Sequence, residues 1–193
     1  MNKKLELFWP LQHSTISQKF GDNDVVLYKQ LNYKGHNGID LPCQSGTPIY
    51  ASHDGIVMGM SMDKTAGCGV MIRTNEEYQD RYQTRSFFKT IYWHTTPNIP
   101  VRLGQQVRIG DIIAYSDNTG YSTGPHLHWG LKAIKQGENE WDWITLNQNN
   151  GYGGALNPEW YVSVMSAYQL RTSLHVMRDL LSKIAMFILL ITR

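Results

Sequence analysis

The sequence predicts a mainly β fold, an antiparallel β sandwich followed by one C-terminal α-helix, on three observations. Short β-branched and aromatic runs recur between residues 20 and 132, glycine-centred turns separate them, and beyond Val162 the apolar period changes from strand-like to helix-like.

In chain order the runs are VVLY (25–28), GIDL (38–41), TPIYAS (47–52), GIVMGM (55–60), GVMIRT (69–74), KTIYWH (89–94), QQVRIGDIIAYS (105–116) and HLHWGLKAI (126–134). Val, Ile, Tyr and Trp suit a pleated, half-buried surface, so each run reads as a strand. Gly46 and Gly55 stand where the chain reverses between strands, and Gly104 and Gly110 bracket the short strand QQVRI. Residues 74–90 are polar, carry charges of both signs and read as an exposed loop or hairpin tip. Residues 136–155 read as a second long loop, whose Trp141, Trp143 and Tyr152 either wall a substrate groove or pack the loop onto the body.

From Val162 onward Leu170, Leu174, Met177, Leu181, Ile184 and Ile188 fall on one stripe of a helix. We therefore divide the chain into a catalytic body over residues 1–161 and an amphipathic to apolar helix over 162–193. The terminal IAMFILLI is far short of the ~20 apolar residues that span a bilayer. The stripe suits three uses: docking on the body, self-association with a second copy, or contact with a membrane surface beside Arg171, Arg178 and Lys183.

Composition narrows the function. A chain of 193 residues with net charge +2 and 18% charged residues has room for one well-buried core, and no cluster of Lys and Arg marks a nucleic-acid partner. MNKKLELFWPLQ interrupts its apolar residues with Glu6 and does not read as a secretory signal, which leaves the delivery route open. Cys43 and Cys68 form no C-x-x-C; a disulfide between them is compatible with the spacing but not required by it.

The chemistry resides in histidines. GHNGID places His36 and Asp40 four residues apart, and TGPHLHWG places His126 and His128 two apart. On a strand, residues two apart share a face, so both histidines of H-x-H can enter one cleft. Two ligands from one segment and a third from a strand are what a hydrolytic zinc needs, its fourth position left for water. Either fragment alone is weak; the pair is informative because its surroundings fit as well.

Those surroundings are WPLQHSTISQKFG, GHNGIDLPCQSGTPIYASHDGIV, IYWHTT, LGQQVRIGDIIAYSDNTG and STGPHLHWGL, in that order from about Trp9 to Tyr161. In them the chain resembles the lysostaphin-type (LytM-like) zinc metallopeptidases, which are peptidoglycan endopeptidases. The resemblance implies the lysostaphin-like fold, a duplicated hybrid motif with a zinc-floored groove across one sheet. It implies a Zn2+ cofactor on His36, Asp40 and His128, with His94 and His126 as catalytic residues that flank the reacting water and the scissile carbonyl. It further implies a bacteriolytic enzyme acting at the bacterial cell wall on peptidoglycan peptide. Tyr50, Asn118, Ser122 and Thr123 are further groove candidates without a motif of their own. The alternative, a catalytically inactive wall-binding regulator of another hydrolase, is recognised in the family by lost ligand positions, and all five positions are present here. Two departures stand out: Gly130 follows Trp129 where many members carry Glu, and Cys68 sits between two glycines where an aromatic is usual.

Overall fold

The computed structural model describes residues 3–13 and 15–191. In chain order its elements are β1 (Leu7–Trp9), α1 (Val26–Gln30), β2 (Ile39–Pro42), β3 (Pro48–Tyr50), β4 (Gly55–Asp63), β5 (Gly67–Thr74), β6 (Tyr78–Gln79), β7 (Arg85–Thr95), β8 (Gln106–Val107), β9 (Ile112–Tyr115), β10 (His126–Gln136), β11 (Trp143–Thr145), β12 (Ala155–Leu156), β13 (Val162–Ser166) and α2 (Ala167–Ile191). The main sheet runs β11-β10-β7-β5-β4-β8, with β2 and β12 also pairing with β10 and β6 with β7. Its pairs are antiparallel, and β3 with β9 forms a second antiparallel pair.

Strand parity decides which face is which. Leu127, Trp129 and Leu131 of β10, Phe88 and Tyr92 of β7, and Val70 and Ile72 of β5 are fully buried in one core. Each such side chain contributes roughly 1.5–3 kcal/mol. The residues of opposite parity, among them His128 and Trp93, which are register partners, therefore face away from that core into a groove.

The mainly β, antiparallel architecture agrees with the sequence reading, and three local expectations need correction. VVLY is not a strand: its last three residues lie in α1, where Val26 is exposed and Tyr28 stacks on His36 at 5.7 Å. The helix does not begin at Val162: residues 162–166 form β13, which runs parallel to β1, and α2 starts at Ala167. A capping box sets that start, Gln169 N–H donating to Ser166 Oγ and Ser166 N–H to Gln169 Oε1. Third, Gly55 does not adopt a positive φ; a side chain there would meet the Arg73 carbonyl oxygen at 2.2 Å, whereas Gly46, at φ +84°, is the left-handed turn residue expected. Cys43 and Cys68 are free thiols, and Cys68 is buried. His53 is a structural residue, its Nδ1 bonded to the Asp54 carbonyl and its Nε2 to Thr90 Oγ1.

α2 meets the body near its start, through residues 167–171. Ala167 is fully buried, Tyr168 packs on Tyr50, and Arg171 donates to the Gly110 carbonyl at 2.9 Å. Beyond it Leu174, Met177, Leu181, Ile184 and Ile188 are exposed, and no described helix is long and apolar enough to cross a membrane. A chain ending at Thr172 is therefore expected to melt at the temperature of the full chain. One ending at Tyr161, which deletes β13 and Ala167, is expected to lose more than about 3 kcal/mol. Thermal melts of the two truncations check this.

Candidate metal centre and cleft

Asp40 lies on β2 and His128 on β10, directly opposite one another in register, and His36 sits in the turn that leads into β2. The His36 Nε2 to His128 Nδ1 distance is 2.9 Å, His128 Nδ1 to Asp40 Oδ1 is 3.1 Å, and His36 Nε2 to Asp40 Oδ1 is 3.2 Å. Since a carbonyl oxygen can only accept, His36 Nδ1 donates to Lys19 O at 3.2 Å, which leaves a lone pair on Nε2. Beside that lone pair and the Asp40 carboxylate, His128 Nδ1 is the third atom at one point, and either a proton on it or a shared cation holds the three together. Three ligands about 2.0–2.1 Å from one zinc at tetrahedral angles stand about 3.3 Å apart, close to the triangle seen here. Burial opposes ionisation of Asp40, yet the facing His128 and His36 hold its carboxyl far below the usual range. Burial pushes His128 down to about 4. An ionised carboxylate and a neutral imidazole are the states that bind a metal.

Packing locks the His36 and His128 rings. Trp93 stacks on His128 with centroids 5.0 Å apart and planes at 16°, and Tyr28 covers His36. Gly38 of GHNGID has a steric role, because a side-chain carbon there would stand 2.6 Å from His128 Cε1 and 2.7 Å from its Nε2. Gly38→Ala is expected to push the imidazole aside and weaken metal binding by on the order of 10–100-fold, as loss of a ligand-orienting contact does. A competition titration against a chelator measures it.

His94 and His126 enter the same cavity by different routes. His126 shares the face of His128 by strand parity, and its Nε2 stands 3.6 Å from Asp40 Oδ2, farther from the cluster than the ligand triangle. His94 would point to the core by parity with Tyr92. A β-bulge intervenes: Cys68 pairs with Thr95 and Gly69 with Trp93, and the unpaired His94 adopts φ +62°. Trp93 and His94 therefore both line the cavity. His94 Nδ1 donates to Thr119 O at 2.6 Å and His126 Nδ1 to Gly124 O at 2.8 Å, so in the neutral rings Nε2 carries the lone pair, and the ring centroids are 4.6 Å apart. Burial lowers the pKa of His94.

The cavity encloses about 360 Å³, and Ser122 and Thr123 line it as expected. Tyr50 and Asn118 do not: Tyr50 lies under α2 and Asn118 is exposed outside the cavity. Trp141 and Trp143 border a separate hollow, and Tyr152 packs on Phe20 at 4.8 Å, so none of the three walls this cavity. Cys68 is not in the lining either. Tyr28, Tyr33 and Tyr121, which do line it, had no motif; the polar loops around the histidine pairs were their only signal.

Residues 34–141 match the profile of Peptidase family M23. An uncharacterised metalloprotease of Haemophilus influenzae is 41% identical over 95 residues, which are 49% of this chain and 18% of that protein. The peptidoglycan DD-endopeptidase ShyA of Vibrio cholerae is 40% identical over 96 residues, 50% of this chain and 20% of ShyA. The present chain thus spans about a fifth of the length of these relatives. A zinc-containing peptidase from Vibrio cholerae superposes with a TM-score of 0.53 at 26% identity, covering 73% of this chain and 39% of that one.

Proposed function

Because the chain belongs to peptidase family M23, we propose that it is a zinc-dependent metalloendopeptidase that hydrolyses peptide bonds in the stem or cross-bridge peptides of bacterial peptidoglycan. The observation that carries this reading is one cavity in which His36, Asp40 and His128 converge beside His94 and His126, whose neutral rings carry the lone pair on Nε2. Zinc on those three ligands supplies Lewis acidity for the scissile carbonyl and brings the pKa of a water toward about 7. His126, whose Nδ1 proton is committed to Gly124, accepts the water's proton at Nε2. His94, held by Thr119, donates from Nε2 to the developing oxyanion once protonated; the two rings, 4.6 Å apart, are close enough to exchange these roles. The half-buried Trp93 and the buried Tyr28 cover the His128 and His36 rings and limit the access of bulk water to them.

The name of ShyA supports peptidoglycan as substrate and the cell wall as the place of action. Digestion of defined cross-linked muropeptides followed by mass spectrometry tests the proposal. Dimers are expected to give monomers with one new amino and one new carboxyl terminus, chelator is expected to stop the reaction and zinc to restore it. Intact dimers after incubation with the zinc-loaded protein would count against it. We assign the exposed stripe of α2 to contacts outside the cleft, with a second copy or a membrane surface. A chain ending at Thr172 should keep activity within about twofold while losing self-association in light scattering or vesicle binding in sedimentation.

A further inference from the structure

Four residues along β10 from His128, the groove face of the main sheet carries Lys132, and directly opposite it, strand by strand, stand Lys89 of β7 and Arg73 of β5. The parity that sends Leu131, Phe88 and Ile72 into the core sends these three to the face of His128 and Trp93. The row between them and the metal cluster, Met71, Ile91 and Gly130, is uncharged. At about 3.3 Å per residue, Lys132 lies about 13 Å from His128, roughly four residues of extended peptide.

Like charges placed directly opposite on neighbouring strands repel. Here all three are half-buried, and among the described residues no carboxylate stands within ion-pair distance of any of them. Their existing partners are neutral: Arg73 donates to the Thr74 carbonyl at 3.0 Å and lies 4.6 Å over the Trp143 ring, and Lys132 donates to the Gly153 carbonyl at 2.8 Å. Burial lowers the pKa of Lys89, and burial together with the charge of Lys89 brings Lys132 down to about 8. Gly153 in turn abuts Tyr33, a residue of the metal-cavity lining, so Lys132 is tied to the loop that borders the cavity without lining the cavity itself. Arg73 is the far end of the row, where it borders the separate hollow that Glu140 also lines, whereas Lys89 and Lys132 are partly desolvated cations with no carboxylate within ion-pair distance; such a pair favours an anion, and a peptide extended from the cleft along this face would bring one within reach.

We propose that Arg73, Lys89 and Lys132 form a carboxylate-binding subsite, which holds a free carboxylate of the substrate peptide about four residues from the bond being cut. The subsite deepens the endopeptidase reading above and rests on it for the identity of the substrate. Two tests use the full-length, metal-loaded protein. The first compares cleavage of one cross-linked muropeptide as free acid and with its carboxylates amidated. Wild type is expected to favour the free acid by on the order of 10-fold in kcat/KM, mainly through KM. Lys132→Met and Lys89→Met should each cut that preference to about twofold or less, with unchanged metal content and unchanged kcat on the amidated peptide. The second test titrates an uncleavable acidic tetrapeptide, as free acid and as amide, against tryptophan fluorescence. Equal affinity for acid and amide, or a preference that survives both lysine variants, overturns the subsite. If the metal-loaded protein cleaves neither muropeptide, the endopeptidase reading fails by itself, and the binding comparison still decides whether the row captures carboxylate.

Discussion

Alanine at His36, Asp40 or His128 is expected to reduce hydrolysis to background and to lower bound zinc from about one equivalent to below about a tenth, because a three-ligand site has no spare donor. Asp40 separates the contributions best. Its carboxylate is the only anion of the cluster, facing both imidazoles at 3.1 and 3.2 Å. Asp40→Asn keeps its size and one acceptor oxygen while removing the charge, so the metal-free protein should melt close to wild type. Zinc affinity should still fall by more than about 100-fold. Elemental analysis of the dialysed variants together with a chelator competition reads both quantities. Zinc retained at full stoichiometry in all three alanine variants would place the metal elsewhere.

The convergence of His36, Asp40 and His128 was legible in the sequence for a reason of short range. A spacing of four in a turn that leads into a strand, and a spacing of two on a strand, each put side chains together with no knowledge of the tertiary fold. The sheet was legible on the same ground, since GIVMGM, GVMIRT, KTIYWH and HLHWGLKAI carry strand composition and became β4, β5, β7 and β10. What escaped depends on partners remote in sequence. VSVMS becomes β13 by pairing with Leu7–Trp9, and the last three residues of VVLY enter α1, whose Tyr28 packs on the remote His36. The row Arg73, Lys89 and Lys132 has no local pattern at all, because three residues from three strands are aligned by register alone. Of the two uses open to Trp143, walling a groove or packing its loop onto the body, the β10–β11 pairing selects the second: it stands opposite Gln136, at the far end of β10 from His128, against Phe87 and Arg73.

His94 is the case in which sequence parity points the wrong way, and it bears on how its role is tested. The bulge that turns its side chain into the cavity requires φ +62°, a conformation that Asn tolerates better than Ala. His94→Asn therefore removes the imidazole with the least strain on the strand, and His126→Ala serves at the regular position. Neither residue belongs to the ligand triangle, so both variants should bind zinc as wild type does and lose on the order of 10² to 10⁴ in kcat, the range of a positioned acid or base. If the two histidines serve one proton-transfer sequence, the double variant should fall well short of the product of the single losses, since groups that act as a unit are not additive. Zinc titration and steady-state kinetics on the three variants give the comparison. Loss of zinc in His126→Ala together with its retention in His128→Ala would exchange the two positions of H-x-H: His126 Nε2, 3.6 Å from Asp40 Oδ2, would then be the ligand, and His128 the base.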